Sequence, residues 1–179
     1  MTPPRRRHTT RGVIHCAATD PHWHGPVDIE TIRRWHVEER GWLDVGYHVY
    51  IRRNGVIEIG RDFGASGAHA AGYNADSFAI CLEGGARAVR DDQGRFVRLE
   101  GVNNFLPIQF EALRVMMLSA MIKYPELDHW VGHRDLPNAN TFCPSFDVEE
   151  WVRQEFPDGP REELRAYYGS DQQLDLFGD

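Results

Sequence analysis

Hydrophobic and polar positions along this chain follow two spacings, one typical of strands and one typical of helices. Short apolar runs of strand length stand at residues 12–18, 78–82 and 129–132. Two further β-rich runs, 47–53 and 56–60, flank Asn54-Gly55, a dipeptide that is the strongest short signal for a hairpin. The segment 86–99 is polar with a central Asp-Gln-Gly and is interpreted as an exposed hairpin or loop. The pattern predicts a sheet that includes an antiparallel pair.

Helical spacing fills the intervals between these runs. Helices are predicted over residues 29–40, 107–123, 148–156 and 160–168. Asp28 and Asp147 are of the residue type that caps a helix N-terminus. Pro107 suits a first helical turn, and Gly41 suits the end of a helix. Strands and helices alternate apart from the hairpin, which predicts an α/β fold: a single domain with a central mixed β-sheet flanked by helices on both faces.

Length and composition fit one domain with polar ends. The chain has 179 residues, 41% of them hydrophobic, which is enough to bury a core. Residues 1–11 are expected to form a flexible basic arm, residues 12–168 the domain, and residues 169–179 a mobile acidic tail. The net charge of −7 argues against nonspecific binding to nucleic acid. We expect a monomer.

The sequence shows neither a membrane anchor nor a signal peptide. Its longest apolar runs are well below the roughly 18 residues that span a bilayer. The basic start is not followed by the apolar stretch of about 7–15 residues that a signal peptide needs. We therefore expect synthesis in the cytoplasm, no membrane partner, and action elsewhere only after release by another protein.

Three residues that could ligate a metal stand where strands meet loops. His15 lies in the first strand, His133 follows the late strand, and Cys143 lies in a loop with two prolines. A catalytic zinc ion needs three such ligands and an open fourth position. The spacing matches no compact zinc-finger pattern, so a role as ordinary core residues stays open at this point.

Other histidine and cysteine side chains are expected to be structural. Neighbouring residues on a strand point to opposite faces. Cys16 should therefore point away from His15 and be a small buried hydrophobe, and Cys81 is expected to be the same. By this argument His48 points away from Tyr47, into a core or supporting position.

Seven sequence blocks occur in an order that is typical of one family. They are His15-Cys-Ala-Ala-Thr19, Gly41-Trp-Leu-Asp-Val-Gly-Tyr-His48, Gly60-Arg-Asp62, Ala68-His-Ala-Ala-Gly-Tyr-Asn74, Cys81-Leu-Glu-Gly-Gly85, Gly132-His-Arg-Asp135 and Thr141-Phe-Cys-Pro-Ser-Phe-Asp147. In these blocks the chain resembles the zinc N-acetylmuramoyl-L-alanine amidases, which include amidase-type phage lysozymes and animal peptidoglycan-recognition proteins. The resemblance extends from about Val13 to Trp151.

The resemblance implies a site with one Zn²⁺ ion. Its ligands would be His15, His133 and Cys143, with water at the fourth position. A structural zinc would need a fourth protein ligand such as Asp147, for which a helix cap is the better explanation. The resemblance also places Tyr47 and Thr141 in the catalytic pocket. Some phage members have Lys where this chain has Thr141, so a neutral hydroxyl replaces a positive charge near the developing oxyanion.

The implied reaction is hydrolysis of the amide between N-acetylmuramic acid and L-alanine in peptidoglycan. His69 and Asn74 are predicted to contact substrate, with a turn-forming role equally open for Asn74. The expected context is a phage or prophage endolysin, and a bacterial recycling amidase would use the same chemistry. The alternative is a non-enzymatic peptidoglycan-binding module or an inhibitor of host replication or transcription. The presence of Cys143 weighs against a binding-only role, because recognition proteins that only bind typically lack this ligand.

Both termini suggest further partners. The tail resembles the peptide by which bacterial proteins dock on the replication sliding clamp, in the residues Gln173, Leu174, Asp175, Leu176 and Phe177. The same apolar side chains could instead fold back onto the domain. Phage amidases of this type can also bind RNA polymerase, which makes the basic arm a candidate polymerase contact, with a solvated or wall-attracted terminus as the ordinary alternative. The arm carries Arg5, Arg6, Arg7 and Arg11.

Overall fold

The computed structural model describes residues 2–168 of the chain. The strands are β1 (Arg11–Cys16), β2 (Val49–Ile51), β3 (Ile57–Ile59), β4 (Ser77–Leu82), β5 (Ala86–Arg90), β6 (Phe96–Gly101) and β7 (His129–Gly132). The helices are α1 (Pro21–His24), α2 (Ile29–Arg33) with a π-helical continuation (Arg34–Glu39), α3 (Pro107–Lys123), a 3-10 turn (His133–Asp135), α4 (Val148–Glu155) and α5 (Pro160–Tyr168).

Five strands form a mixed sheet in the order β3-β2-β4-β1-β7. Strands β2, β4, β1 and β7 run parallel, and β3 is antiparallel at one edge. The predicted hairpin turn joins β2 to β3, and Gly55 adopts a φ of +81°, which glycine tolerates best. Because β1 is parallel to both of its neighbours, β4 and β7, the carboxyl ends of these three strands lie at the same end of the sheet.

Helices cover both faces of this sheet, as predicted. Successive side chains of a strand point to opposite faces, and the neighbours Ile80 and Cys81 of β4 accordingly lie in different hydrophobic clusters. The larger cluster joins the sheet to α3 and α4 and includes Ile14, Phe78, Ile80, Leu113, Met117 and Val148. The smaller cluster joins the opposite face to α2 and includes Ile29, Ile32, Tyr50 and Cys81. The two faces are therefore held by separate apolar cores.

The polar segment after β4 forms a separate two-stranded sheet of β5 and β6. Asp20 links this hairpin to α1, a short helix that the Pro- and Gly-rich sequence did not predict. The carboxylate accepts hydrogen bonds from His22 N at 2.9 Å and from Ala88 N at 2.7 Å. These two N–H groups, the one from Ala88 foremost, hold the pKa of Asp20 below its usual value.

The predicted helix over residues 29–40 is present, but its second half is π-helical. Asp28 caps it through a 2.8 Å bond from Thr31 N, and Gly41 follows it with a φ of +70°. The wider turns carry His36, whose Nδ1 accepts a bond from Gly46 N at 3.1 Å. The helix thereby supports the segment that leads to Tyr47.

The basic N-terminal segment contacts the domain, which differs from the flexible arm expected from its composition. The Arg6 guanidinium donates to the carbonyl oxygens of Phe63 and Ser77. It also lies over the Tyr124 ring, with Cζ 5.1 Å from the ring centroid. Composition could not indicate this, because the acceptors come from residues more than fifty positions away.

Residues 169–179 lie outside the described part of the chain, and so does the clamp-like peptide at Gln173–Phe177. The clamp and polymerase contacts therefore stay predictions. Within residues 2–168, none of the helices is long and apolar enough to cross a membrane.

Candidate active site

The three candidate metal ligands meet at the carboxyl ends of β1 and β7. His15 is the penultimate residue of β1, and His133 directly follows β7. Since these two strands are parallel neighbours, their ends bring the rings to a centroid separation of 4.6 Å. Cys143 approaches from the loop before α4, with Sγ 3.7 Å from His15 Nδ1. One nitrogen or sulfur atom of each of the three residues lies within 4.8 Å of the other two.

Main-chain hydrogen bonds position the Cys143 side chain. Its carbonyl oxygen accepts a bond from Arg134 N at 2.7 Å, which ties the loop to the residue after His133. Its own N–H donates to Thr141 Oγ1 at 3.1 Å. Its sulfur accepts a bond from Cys16 N, also at 3.1 Å. The loop is therefore fixed both to β1, which carries His15, and to the 3-10 turn that carries His133.

Burial keeps all three candidate ligands in their neutral forms. His15 is 1% exposed, and burial, followed by the neighbouring His133, holds its pKa well below the usual value. Burial also lowers the pKa of His133 and raises the pKa of the Cys143 thiol. Neutral imidazoles offer a lone pair to a metal, and a bound cation would favour the thiolate.

Tyr47 lies beside this group, just before β2. Its ring centroid is 5.1 Å from that of His15. Burial raises the pKa of the Tyr47 phenol well above its usual value, so the hydroxyl keeps its proton at neutral pH. The side chain can thus donate a hydrogen bond and is a poor general base.

His69 and Asn74 belong to one loop beside the histidine pair. His69 Nδ1 lies 2.9 Å from His15 Nε2, and His69 Nε2 lies 3.2 Å from Ser77 Oγ. Asn74 Oδ1 accepts bonds from the main-chain N–H groups of His69 and Ala70, at 2.8 and 2.9 Å. These contacts match the turn-forming alternative for Asn74. Both His69 nitrogens face protein groups, which differs from the substrate contact expected for that side chain.

Sequence reasoning missed two groups that contact the site. One is Ser77, the first residue of β4, and the other is the main-chain N–H of Cys16. The Cys16 side chain is buried as predicted, but both its backbone N–H and its thiol interact with the Cys143 sulfur. Ser77 lies in none of the seven sequence blocks, and although Cys16 lies in the first of them, its side chain gives no sign that its backbone N–H contacts Cys143, which is more than a hundred residues away.

The remaining predictions for this region agree with the structure. Asp147 is a helix cap, accepting a bond from Glu150 N at 2.8 Å. Cys81 is fully buried. His48 is fully buried on the opposite side from Tyr47, with Nδ1 accepting from Ala79 N and its ring stacked on Phe78.

Comparison with known proteins places this geometry in one family. The family model described as N-acetylmuramoyl-L-alanine amidase matches residues 5–146. The endolysin of Escherichia phage T7 is 41% identical over 148 residues, covering 82% of this chain and 88% of that protein. The endolysin of Enterobacteria phage T3 is 42% identical over 146 residues, covering 81% and 87%.

A solved structure extends the likeness to three dimensions. The endolysin N-acetylmuramoyl-L-alanine amidase LysCS from Clostridium intestinale is similar with a TM-score of 0.65 and 26% identity, over 84% of each chain. The matched family segment includes His15, His133 and Cys143. The chain belongs to the N-acetylmuramoyl-L-alanine amidase family.

Proposed function

We propose that His15, His133 and Cys143 hold one Zn²⁺ ion in this amidase, and that Tyr47 and Thr141 assist the reaction there. The enzyme hydrolyses the amide between N-acetylmuramic acid and L-alanine of peptidoglycan, as a phage endolysin. The observation that carries the metal assignment is the convergence of two imidazoles and one thiol within 4.8 Å at the end of the sheet.

The chemistry of these donors fits zinc. Two imidazole nitrogens and a thiolate sulfur are ligands that Zn²⁺ prefers. Three protein ligands are typical of a catalytic ion, because the fourth position stays open for water or substrate. Asp147 does not supply a fourth ligand here, since its carboxylate caps α4 and the residue is exposed.

When bound at this site, zinc supplies a Lewis acid that polarises the scissile carbonyl and lowers the pKa of water. Tyr47 donates its retained phenol proton in a hydrogen bond to the carbonyl oxygen as negative charge develops on it. Thr141 Oγ1 accepts the Cys143 N–H, and its own hydroxyl hydrogen is left to donate to the same oxygen. Both donors are neutral, because Thr141 stands where some phage members of the family have Lys.

In the loop that carries His69 and Asn74, fewer side-chain atoms can contact substrate than the sequence predicted. Asn74 Oδ1 already accepts hydrogen bonds from the main-chain N–H groups of His69 and Ala70. Its Nδ2 group is the part of the side chain that can donate to a stem peptide or sugar. The two ring nitrogens of His69 face His15 and Ser77 instead.

The function is tested by giving purified protein intact peptidoglycan and measuring which new groups appear. We expect new L-alanine amino termini with the zinc-loaded protein, loss of activity with a chelator, and recovery when zinc is restored. A Cys143→Ser variant that remains folded should release few such termini. New reducing sugar ends would identify a glycosidase instead, and activity unaffected by chelator and by Cys143→Ser would contradict the metal assignment.

A further inference from the structure

A chain of hydrogen bonds runs from the proposed ligand His15 into the protein. Nδ1 of His15 faces Cys143 Sγ, whereas Nε2 lies 2.9 Å from His69 Nδ1. His69 Nε2 lies 3.2 Å from Ser77 Oγ. The Ser77 hydroxyl in turn donates to the carbonyl oxygen of Tyr73. Three side chains thus connect the metal site to one main-chain oxygen.

The Tyr73 carbonyl oxygen, at the end of this series of hydrogen bonds, determines which atom donates in each of them. A carbonyl oxygen only accepts, so the single hydroxyl proton of Ser77 is used for Tyr73. Ser77 Oγ must then accept from His69, which places the His69 proton on Nε2. The lone pair of neutral His69 is therefore on Nδ1 and accepts from His15 Nε2. His15 consequently carries its proton on Nε2 and its lone pair on Nδ1, the atom that faces Cys143.

The loop geometry holds His69 in this place. Asn74 Oδ1 fixes the main chain of His69 and of Ala70. A Cβ atom at Gly67 would lie 2.3 Å from His69 Cδ2, so the lack of a side chain at residue 67 makes room for the ring. Ser77 is fully buried at the start of β4, which is rigidly paired with β1.

We propose that His69 and Ser77 are positioning residues that select the His15 tautomer whose Nδ1 lone pair faces the metal. This inference rests on the proposed zinc site. Groups that hold the second nitrogen of a metal-bound histidine orient the ring and raise metal affinity, commonly by about 10–100-fold. Here that role falls to His69, which lies in one of the seven sequence blocks but was expected to contact substrate, and to Ser77, which lies in none of them.

The test measures Zn²⁺ affinity by competition with a chromophoric chelator. We expect His69→Leu to weaken zinc binding by about 10–100-fold and Ser77→Ala to weaken it in the same direction. Ser66→Ala is the matched control, because Ser66 Oγ donates to Asn74 O in the same loop without touching the histidines. Its zinc affinity should equal that of the wild type. Circular dichroism of each metal-free variant checks that it remains folded, and if His69→Leu does not fold, the comparison of Ser77→Ala with Ser66→Ala decides.

A second readout reports the tautomer directly. Long-range ¹H–¹⁵N spectra of the metal-free protein should show His15 protonated on Nε2 in the wild type and in Ser66→Ala. In Ser77→Ala a fraction protonated on Nδ1 should appear. Unchanged zinc affinity together with an unchanged tautomer in Ser77→Ala would overturn the positioning role alone. Failure of the wild type to bind zinc would instead overturn the proposed metal site and this inference with it.

Discussion

The main-chain N–H of Cys16 and the sulfur of Cys143 lie 3.1 Å apart, so the strand that carries His15 also positions the third candidate ligand. The donor is a backbone N–H, which any residue except proline would supply at position 16. This relationship separates the two cysteines in function although both are buried and close together.

Replacing these cysteines should therefore have opposite results. Cys16→Ala should retain zinc affinity to within about threefold, since the backbone donor is unchanged and the Cys16 thiol, although it interacts with the Cys143 thiol, is not one of the three converging donors. Cys143→Ser should weaken zinc binding by more than about 100-fold, because a thiolate ligand is lost. Equilibrium zinc titration of both folded variants measures this. Equal losses of zinc affinity in the two variants would contradict the assignment of Cys143, and not Cys16, as the metal ligand.

Tyr47→Phe should lower kcat by about 100- to 1000-fold, the usual cost of removing one donor to a developing oxyanion. Zinc affinity should be unchanged, because the phenol is not among the three converging donors. Tyr50→Phe is the matched control: it removes a buried hydroxyl in β2 that has no hydrogen-bond partner among residues 2–168. The kcat values of the two variants are compared by the steady-state release of L-alanine amino termini. A Tyr47→Phe enzyme with the kcat of the wild type would exclude Tyr47 as a donor to the oxyanion.

The two arginines at the N-terminus should differ in their effect on stability. Arg6→Ala should lower the free energy of unfolding by about 2–3 kcal/mol, because it leaves half-buried carbonyl oxygens without their charged donor. Arg5→Ala removes an ion pair with Asp62 whose side chains are 76% and 66% exposed, and should cost less than about 0.5 kcal/mol. Urea unfolding measures both. Equal effects would show that Arg6 does not anchor the segment.

Stability should fall as the pH drops below about 6.5, the usual pKa of histidine. Burial lowers the pKa of His36 to about 4 and that of His48 to about 3, so unfolding takes up a proton at each site between those values and 6.5. Each site contributes a slope of about 1.4 kcal/mol per pH unit in that range, with stability higher at higher pH.

His36→Asn should remove one of these contributions. The slope of unfolding free energy between pH 6 and pH 5 should decrease by about 1.4 kcal/mol per unit relative to the wild type. Any packing loss beside Trp42 is independent of pH and cancels when slopes are compared. Identical slopes from urea unfolding at several pH values would contradict neutral burial of this ring.

Local signals in the sequence were sufficient for most of the fold. Asn54-Gly55 specifies its hairpin because the turn requires a residue that accepts positive φ. Asp28 and Asp147 mark helix starts because their carboxylates satisfy free N–H groups within three residues. Such interactions are short in sequence and therefore visible in it.

Interactions between distant segments were not predictable in this way. The π-helical turns at Arg34–Glu39 accompany the contact of His36 with Gly46, and Arg6 is held by residues far along the chain. At the site, the resemblance pointed to His15, His133 and Cys143, which the structure brings together. It did not reveal Ser77, whose part depends on the ring orientation of two histidines.

The β5–β6 hairpin has a practical consequence for protein engineering. It is a sheet of its own, fixed near its base by the bond from Ala88 N to Asp20, while the tip residues 92–94 are exposed. Exposed tips of this kind accept inserted sequence without disturbing the elements behind them. A foreign peptide or a wall-targeting module grafted between Asp92 and Gly94 would therefore be displayed by the enzyme while the register of the five-stranded sheet stays as it is.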